Sequence, residues 1–135
     1  MDERDGSAPN TGRRTVLVVE DNASVREVFV RMLKYLNYDI LESDGIAAAV
    51  GILNEARPVD LVVSDCMLSN GARGWDLIGH ARGRRRDLPF LFITGHDAAT
   101  VEAHLPRDAT TRLLRKPFTL VDLDRALRAV LDGSG

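Results

Sequence analysis

The chain predicts a parallel α/β sheet covered by helices on both faces, and three observations lead there. Short β-branched runs alternate with longer segments whose apolar residues recur at intervals of three and four, five times in succession. The short runs are apolar almost throughout, as strands buried on both faces must be. At 135 residues, 44% hydrophobic and 28% charged, the chain is long enough for one domain with a sizeable core and too short for two of ordinary size.

The opening MDERDGSAPNTGRR carries too little apolar surface to offset the cost of ordering, so residues 1–14 read as a disordered arm or linker and the domain is expected over 15–133. TVLVV (15–19) is the first strand. Asn22 is a good N-cap for a helix of about 14 residues, with Val25, Val28, Phe29, Met32, Leu33 and Leu36 as its apolar set. YDILE (38–42) is a second strand, and the helix over 44–56 is weakened by Gly51. Strand 60–64, helix 75–85, strand 89–93, a short helix 98–105, strand 111–115 and helix 120–132 complete the pattern. Thr119 and Asp122 have the spacing of a capping box for the last helix.

Composition excludes several classes of partner. A net charge of −2 gives no electrostatic reason to expect nucleic acid or an anionic membrane. Cys66 is the single cysteine, so no intrachain disulfide is possible, and no run approaches the ~18 apolar residues needed to span a bilayer. The N-terminal segment lacks the apolar core of a signal peptide, and a reducing, cytoplasmic compartment is expected.

In open parallel sheets, ligands bind at the carboxyl ends of the strands. Here those ends carry Glu20 and Asp21, then Asp65, then Thr94 and Gly95, then Lys116 and Pro117. Three carboxylates on one rim repel one another unless a hard cation sits among them, and oxygen ligands of this kind suit Mg²⁺. A hydroxyl and an ammonium beside them suit the oxygens of a phosphoryl group. A carboxylate can itself be the nucleophile and become an aspartyl-phosphate, and Asp65, on the central strand between the acids and the Thr/Lys pair, is the natural candidate.

These residues resemble a receiver domain of the bacterial two-component response regulator family over essentially all of 15–132. The resemblance rests on LVVEDN, VVSDCML, FITGH and KPF, each at the end of the appropriate strand and in the family's order. It implies a doubly wound, flavodoxin-like (βα)5 fold with strand order 2-1-3-4-5. It further implies that Asp65 accepts the phosphoryl group, that Asp21 ligates Mg²⁺ directly and Glu20 largely through water, and that the Met67 backbone carbonyl is a further ligand. Thr94 and Lys116 would bind the phosphate, and the Lys116–Pro117 bond would be cis.

Four positions depart from the common pattern. Glu20 stands where Asp is more usual, Ser69 where Pro is usual, and Gly74 lies one residue later than in many members. Leu113 replaces the Tyr or Phe whose ring turns inward when the Thr moves toward the phosphate, so a large rearrangement of the output face is not expected. His96, two residues after Thr94, and Met67, two after Asp65, would border the phosphorylation site and modulate dephosphorylation. His80 and His104 lack metal-ligand spacing and read as surface residues. Cys66 reads as a small packed residue, and Arg82, Arg84, Arg85 and Arg86 as a solvated, helix-terminal charge run.

The function expected is that of a phosphorelay receiver, taking phosphate from a sensor histidine kinase or histidine phosphotransfer protein and catalysing only its own phosphorylation and dephosphorylation. Two alternatives stand beside it. One is a pseudo-receiver scaffold with no phosphorylation. The other is a phosphatase of the haloacid dehalogenase type, which needs a second Asp where this chain has Met67. LDGSG leaves no room for an output domain, which suggests a stand-alone receiver or one cut from a larger protein such as a hybrid kinase. The partner is expected on the first helix near Ser24, Arg26 and Val30 and on the loop after Lys116. The face containing Leu105, Arg107 and Arg125 lacks an apolar stripe, so a monomer or weak dimer is expected.

Overall fold

Alternating β-branched runs and amphipathic segments condense into five βα units in the computed structural model, which describes residues 12–68, 71–83, 85–95, 98–108 and 110–132. The elements are β1 (Thr15–Val19), α1 (Ala23–Tyr35), β2 (Asp39–Ser43), α2 (Ile46–Asn54), β3 (Leu61–Asp65), α3 (Asp76–Arg82), β4 (Phe90–Thr94), α4 (Ala98–Glu102), β5 (Thr111–Arg115) and α5 (Leu120–Asp132). All pairings are parallel and the order is β2-β1-β3-β4-β5, as expected.

Side chains of a strand alternate between faces, and both faces here are apolar. Val16, Val18, Leu61, Val63, Leu91 and Ile93 pack against Phe29, Val30 and Leu33 of α1 and Leu123, Leu127 and Val130 of α5. Leu17, Val19, Val62, Phe90 and Phe92 face the other way, onto Ala49 and Leu53 of α2, Leu77 and Ala81 of α3, and Val101 of α4. This division follows from right-handed crossovers: the chain steps one way from β1 to β2 and the opposite way from β2 onward, so α1 falls on one face and α2 to α4 on the other. The direction of winding reverses between β1 and β3, which opens a crevice at their carboxyl ends.

Several boundaries differ from the sequence reading. β2, β3 and β4 each run one residue further toward the carboxyl edge than expected, ending on Ser43, Asp65 and Thr94. The ladder persists there: the Cys66 N–H donates to the Ile93 carbonyl and the Lys116 N–H to the Thr94 carbonyl, at 3.0 and 2.8 Å. Polar residues at the rim are therefore held by strand hydrogen bonds. α4 stops at Glu102 and continues as turns in which His104 and Leu105 donate three residues back, because Leu105 precedes Pro106 and the α conformation is disfavoured there. α1 is capped as expected by Asn22, whose Oδ1 accepts from the Val25 N–H at 3.0 Å. The Thr119/Asp122 box closes reciprocally at 2.9 and 3.1 Å, and these bonds hold the Asp122 carboxyl below its ordinary pKa.

Two side chains of α1 lie contrary to expectation. Val28, assigned to the apolar face, is 53% exposed, whereas Val30, assigned to a docking surface, is 8% exposed and belongs to the core. The helix presses Phe29, Val30 and Leu33 onto the sheet, so Val28 falls on the far side. A third correction concerns the arginine run. The Arg85 guanidinium is not merely solvated: its Nε donates to the Leu53 carbonyl at 3.2 Å, and its Nη2 to the carbonyls of Glu55 and Arg57 at 2.9 and 2.8 Å. It gathers the carbonyls where α2 ends and the chain turns toward β3.

Arg85→Ala is expected to lower unfolding free energy in urea by about 1–2 kcal/mol, with Arg86→Ala, at an exposed position, within about 0.5 kcal/mol of wild type. Equal losses in the two variants would contradict the clamp.

Candidate functional site

Strand register brings the carboxylates together. Val18 pairs with Val63 and Val19 with Ser64, and the same offset carries Glu20, one residue beyond β1, level with Asp65, the last residue of β3. Asp65 pairs in turn with Ile93, so Thr94 lies one step further along β4 and Lys116 directly follows β5. The structure thus gathers the strand-end residues Glu20, Asp21, Asp65, Thr94 and Lys116 at one edge. His96 and Ser69 lie outside the described residues.

Glu20 is the most constrained member. Only 2% of it is exposed, its N–H donates to the Ser43 carbonyl at 3.2 Å, and its Oε2 accepts from the Asn22 N–H at 2.8 Å. Its Oε1 is buried without a hydrogen-bond partner among the described residues. Burial, followed by the nearby Asp65 and Asp21 carboxylates, pushes the Glu20 carboxyl up from its ordinary 4.5 to about 7. A buried oxygen with no donor among the described residues, beside like charges, is one that a bound cation would satisfy.

The donor set fits Mg²⁺ in chemistry. Among the described residues, no three His, Cys, Asp or Glu side chains close on a common point as a cage. Mg²⁺ does not need one, because it keeps several waters and takes one or two carboxylates with a carbonyl or a phosphoryl oxygen.

Asp65 is held lightly. Its Oδ1 accepts from the Met67 N–H at 3.4 Å, and its Oδ2 lies 4.0 Å from Lys116 Nζ. These distances exceed those of strong charge-assisted bonds, so the carboxylate is oriented without being tied up. The backbone behind it is rigid by contrast. Gly74 donates its N–H to the Cys66 carbonyl at 2.8 Å, and a Cβ at Gly74 would collide with the Asp65 carbonyl oxygen and stand 2.6 Å from Ser64 Oγ. Ser64 Oγ itself donates to that same carbonyl at 2.9 Å. Only glycine permits the loop after β3 to fold back this closely. Met67 and Arg73 form an antiparallel bridge across that loop, with the Met67 side chain exposed.

Thr94 is buried. Its hydroxyl meets the Cys66 sulfur, and burial, followed by the charge of Asp65, pushes the Cys66 thiol up to about 12. That leaves the thiol protonated and inert, the packed role expected of it. The peptide bond from Lys116 to Pro117 is cis, as the resemblance implied. The lysine stem lies over Gly95, and its ammonium is 5.7 Å from the Phe29 ring centroid on one side and faces Asp65 on the other. Leu113 is half-buried against the α2–α4 side of the core and brings no ring to it.

Three roles at the site are not legible in the sequence: Phe29 under the lysine, Gly74 behind Asp65, and Arg26, whose Nη1 donates to the Glu20 carbonyl at 2.8 Å. Arg26 alone carries a partial signal. It lies three and four residues before Phe29 and Val30, so a cation occupies the helix stripe that faces the sheet. Val25, Val28, Phe29 and Met32 of α1, with Pro117 and Phe118, line a mainly apolar groove that Lys116 closes at the site end.

Comparison with known proteins identifies the family and the fold. The family described as the response regulator receiver domain matches residues 16–128. The chain is 33% identical over 123 residues to the sensor kinase CckA of Brucella abortus, covering 90% of this chain and 13% of that protein. It is 30% identical over 120 residues to the phosphate regulon transcriptional regulatory protein PhoB of Escherichia coli, covering 87% of this chain and 52% of that one. The chain therefore spans only part of these curated relatives, about half of the regulator and a smaller share of the kinase. Among solved structures, a response regulator receiver protein from Sinorhizobium medicae superposes with a TM-score of 0.81 at 25% identity, covering 91% of this chain and 98% of that one. The receiver domain of the hybrid histidine kinase CckA gives 0.68 at 30% identity, covering 86% and 98%.

The raised Glu20 pKa sets a pH dependence. A carboxyl whose folded pKa lies above its unfolded value stabilises the fold below the unfolded value, and that advantage is lost as pH rises through about 4.5 to 7. In chelator, wild-type stability is expected to fall by roughly 1–3 kcal/mol from pH 5 to pH 8, and Glu20→Gln to be the more stable form at pH 8. Thermal melts of both proteins across that range test this. A Gln variant no more stable than wild type at pH 8 would contradict it.

Proposed function

This chain belongs to the response regulator receiver domain family of two-component signalling, a signalling family rather than a classical enzyme family, and we propose that it serves there as a phosphoacceptor on Asp65. The observation that carries this reading is the placement of one lightly held carboxylate, Asp65, between a buried acid with an unpartnered oxygen and an ammonium 4.0 Å away.

The donor would be a phosphohistidine of a sensor histidine kinase or a histidine phosphotransfer protein. An Asp65 carboxylate oxygen attacks phosphorus in line, the new O–P bond forms as the P–N bond breaks, and the electron pair leaves with the imidazole. Glu20, Asp21, Asp65 and the Met67 carbonyl would hold Mg²⁺, which when bound neutralises the crowded carboxylates and the phosphoryl oxygens. The Lys116 ammonium pairs with one phosphoryl oxygen, and the Thr94 hydroxyl turns from the Cys66 sulfur to donate to another, both from strand ends fixed by the sheet. The strands beneath fix the attack geometry, which is the source of most of the advantage in phosphoryl transfer. The exposed Met67 side chain and His96 would border the acyl phosphate and set its exposure to water. Chemistry is confined to the protein's own aspartate: Met67 stands where a phosphatase of related mechanism would place its general acid, so turnover of external esters is not expected.

The receiver unit is residues 15–133 on this reading. No described helix is long and apolar enough to cross a membrane, and cytoplasmic residence of a monomer or weak dimer goes with the proposed partners. For docking, Val28 replaces Val30. Val28 is exposed on the groove that leads along α1 to Lys116, where a helix of the donor protein could lie while presenting its histidine.

Incubation with acetyl phosphate, read by intact mass, is expected to add one phosphoryl group in the presence of Mg²⁺ and none in chelator or in Asp65→Asn. A folded wild type that gains nothing would favour the pseudo-receiver scaffold. Val28→Asp is expected to slow transfer from the cognate phosphohistidine donor at least tenfold, in line with a central apolar contact, while the acetyl phosphate rate stays within twofold. Unchanged transfer from the protein donor would remove α1 from the docking surface.

A further inference from the structure

The β1–α1 loop has to hold two adjacent carboxylates, Glu20 and Asp21, at the rim where register brings Glu20 level with Asp65. Three anchors on Glu20 meet that demand. Its N–H is fixed by the Ser43 carbonyl on β2, its Oε2 by the Asn22 N–H, and its carbonyl by Arg26 Nη1 at 2.8 Å. The first two come from backbone that neighbours Glu20 in the sheet or in the loop. The third is a side chain reaching back from the first turn of α1, five residues after Asp21.

Arg26 is built for this. Its Nε bonds Glu42 Oε1 on β2 at 3.3 Å, so one planar fork spans the Glu20 carbonyl and the edge strand together. The side chain is 22% exposed, and its own N–H donates to the Asn22 carbonyl at 2.9 Å, which ties the same residue into the helix start. Arg26 thus meets both ends of the three-residue loop, its guanidinium at the Glu20 carbonyl and its main chain at Asn22. With the main chain fixed on either side and Oε2 engaged, the oxygen of Glu20 left to act is Oε1, which has no hydrogen-bond partner among the described residues.

We infer that Arg26 is a positioning residue for the cation site, holding the Glu20 carbonyl so that the acid pair keeps its aim toward Asp65. It works through the backbone and touches neither the metal nor the phosphoryl group. Sequence alone points to Arg26 as a partner-docking residue; its engagement with Glu20 and Glu42 gives it a role at the site. The inference rests on the Mg²⁺ reading above and deepens it.

The test is isothermal titration of the apo protein with MgCl₂ alone, beside thermal melts in chelator, for wild type, Arg26→Met, Arg26→Lys and Glu42→Gln. Residues that orient metal ligands typically contribute 10–100-fold in affinity. Arg26→Met is expected to weaken Mg²⁺ binding about tenfold. Arg26→Lys, which can reach the carbonyl or Glu42 but not both in fork geometry, is expected to fall between Met and wild type. Glu42→Gln, which keeps the carbonyl bond but weakens the other arm of the fork, is expected to fall with Arg26→Lys between Met and wild type. A lowered melting temperature with an unchanged Mg²⁺ constant in Arg26→Met would reduce Arg26 to a staple and overturn the inference. Should the Met variant fail to fold, Arg26→Lys decides: a wild-type constant overturns the inference and a weakened one supports it. No Mg²⁺ binding by wild type would instead overturn the metal-site reading itself, and this inference with it.

Discussion

The parallel register between β1 and β3 is the constraint on which the rest of the molecule depends. Val18 opposite Val63 and Val19 opposite Ser64 bring Glu20 level with Asp65. Side chains along a strand alternate between faces, so a slip of one residue would turn Leu61 and Val63 from the α1–α5 side of the core to the other and carry Asp65 off the rim. The two apolar clusters therefore hold the register as a by-product of filling both faces. The site inherits its geometry from the core, with no bonds of its own needed to draw the strands together.

What the site adds is tension. Carboxylates placed side by side oppose the fold, and Glu20 carries most of that opposition because it is buried with one oxygen unpartnered. The surrounding chain is stiff where the charge is crowded. Gly74 lets the loop after β3 pack on the Asp65 carbonyl, and the Arg26 fork binds α1, β1 and β2 at the acid pair. Asp65 itself stays lightly held. Fixed backbone beneath a loosely held carboxylate is the arrangement the proposed phosphoacceptor role calls for, aimed and still available.

α1 serves two purposes with two stripes. Phe29, Val30 and Leu33 face the sheet, and Phe29 also lies beneath the Lys116 ammonium, while Val25, Val28 and Met32 line the groove beside it. A partner bound to the groove would rest on the same helix that positions the acid pair. On the opposite flank, Leu113 packs into the core without a ring, so β4 and β5 are coupled near Thr94 by packing of aliphatic side chains and by the strand hydrogen bond from the Lys116 N–H to the Thr94 carbonyl.

The sequence by itself determined the element order, the parallel sheet, both helix caps and the set of residues at the strand ends, because each rests on periodicity or on contacts within a few residues. The family resemblance followed from those strand ends. Tertiary structure alone decided which valine of α1 faces solvent, since a broad apolar stripe leaves its margins open until the helix is pressed onto a particular sheet. It also decided the roles of Arg85, Arg26 and Gly74. Arg85 meets carbonyls about 30 residues away, Arg26 reaches Glu42 sixteen residues on, and Gly74 is defined by a carbonyl it nearly touches. Composition and spacing record what a side chain can donate or tolerate, but only the folded chain supplies the distant acceptor that fixes what it does.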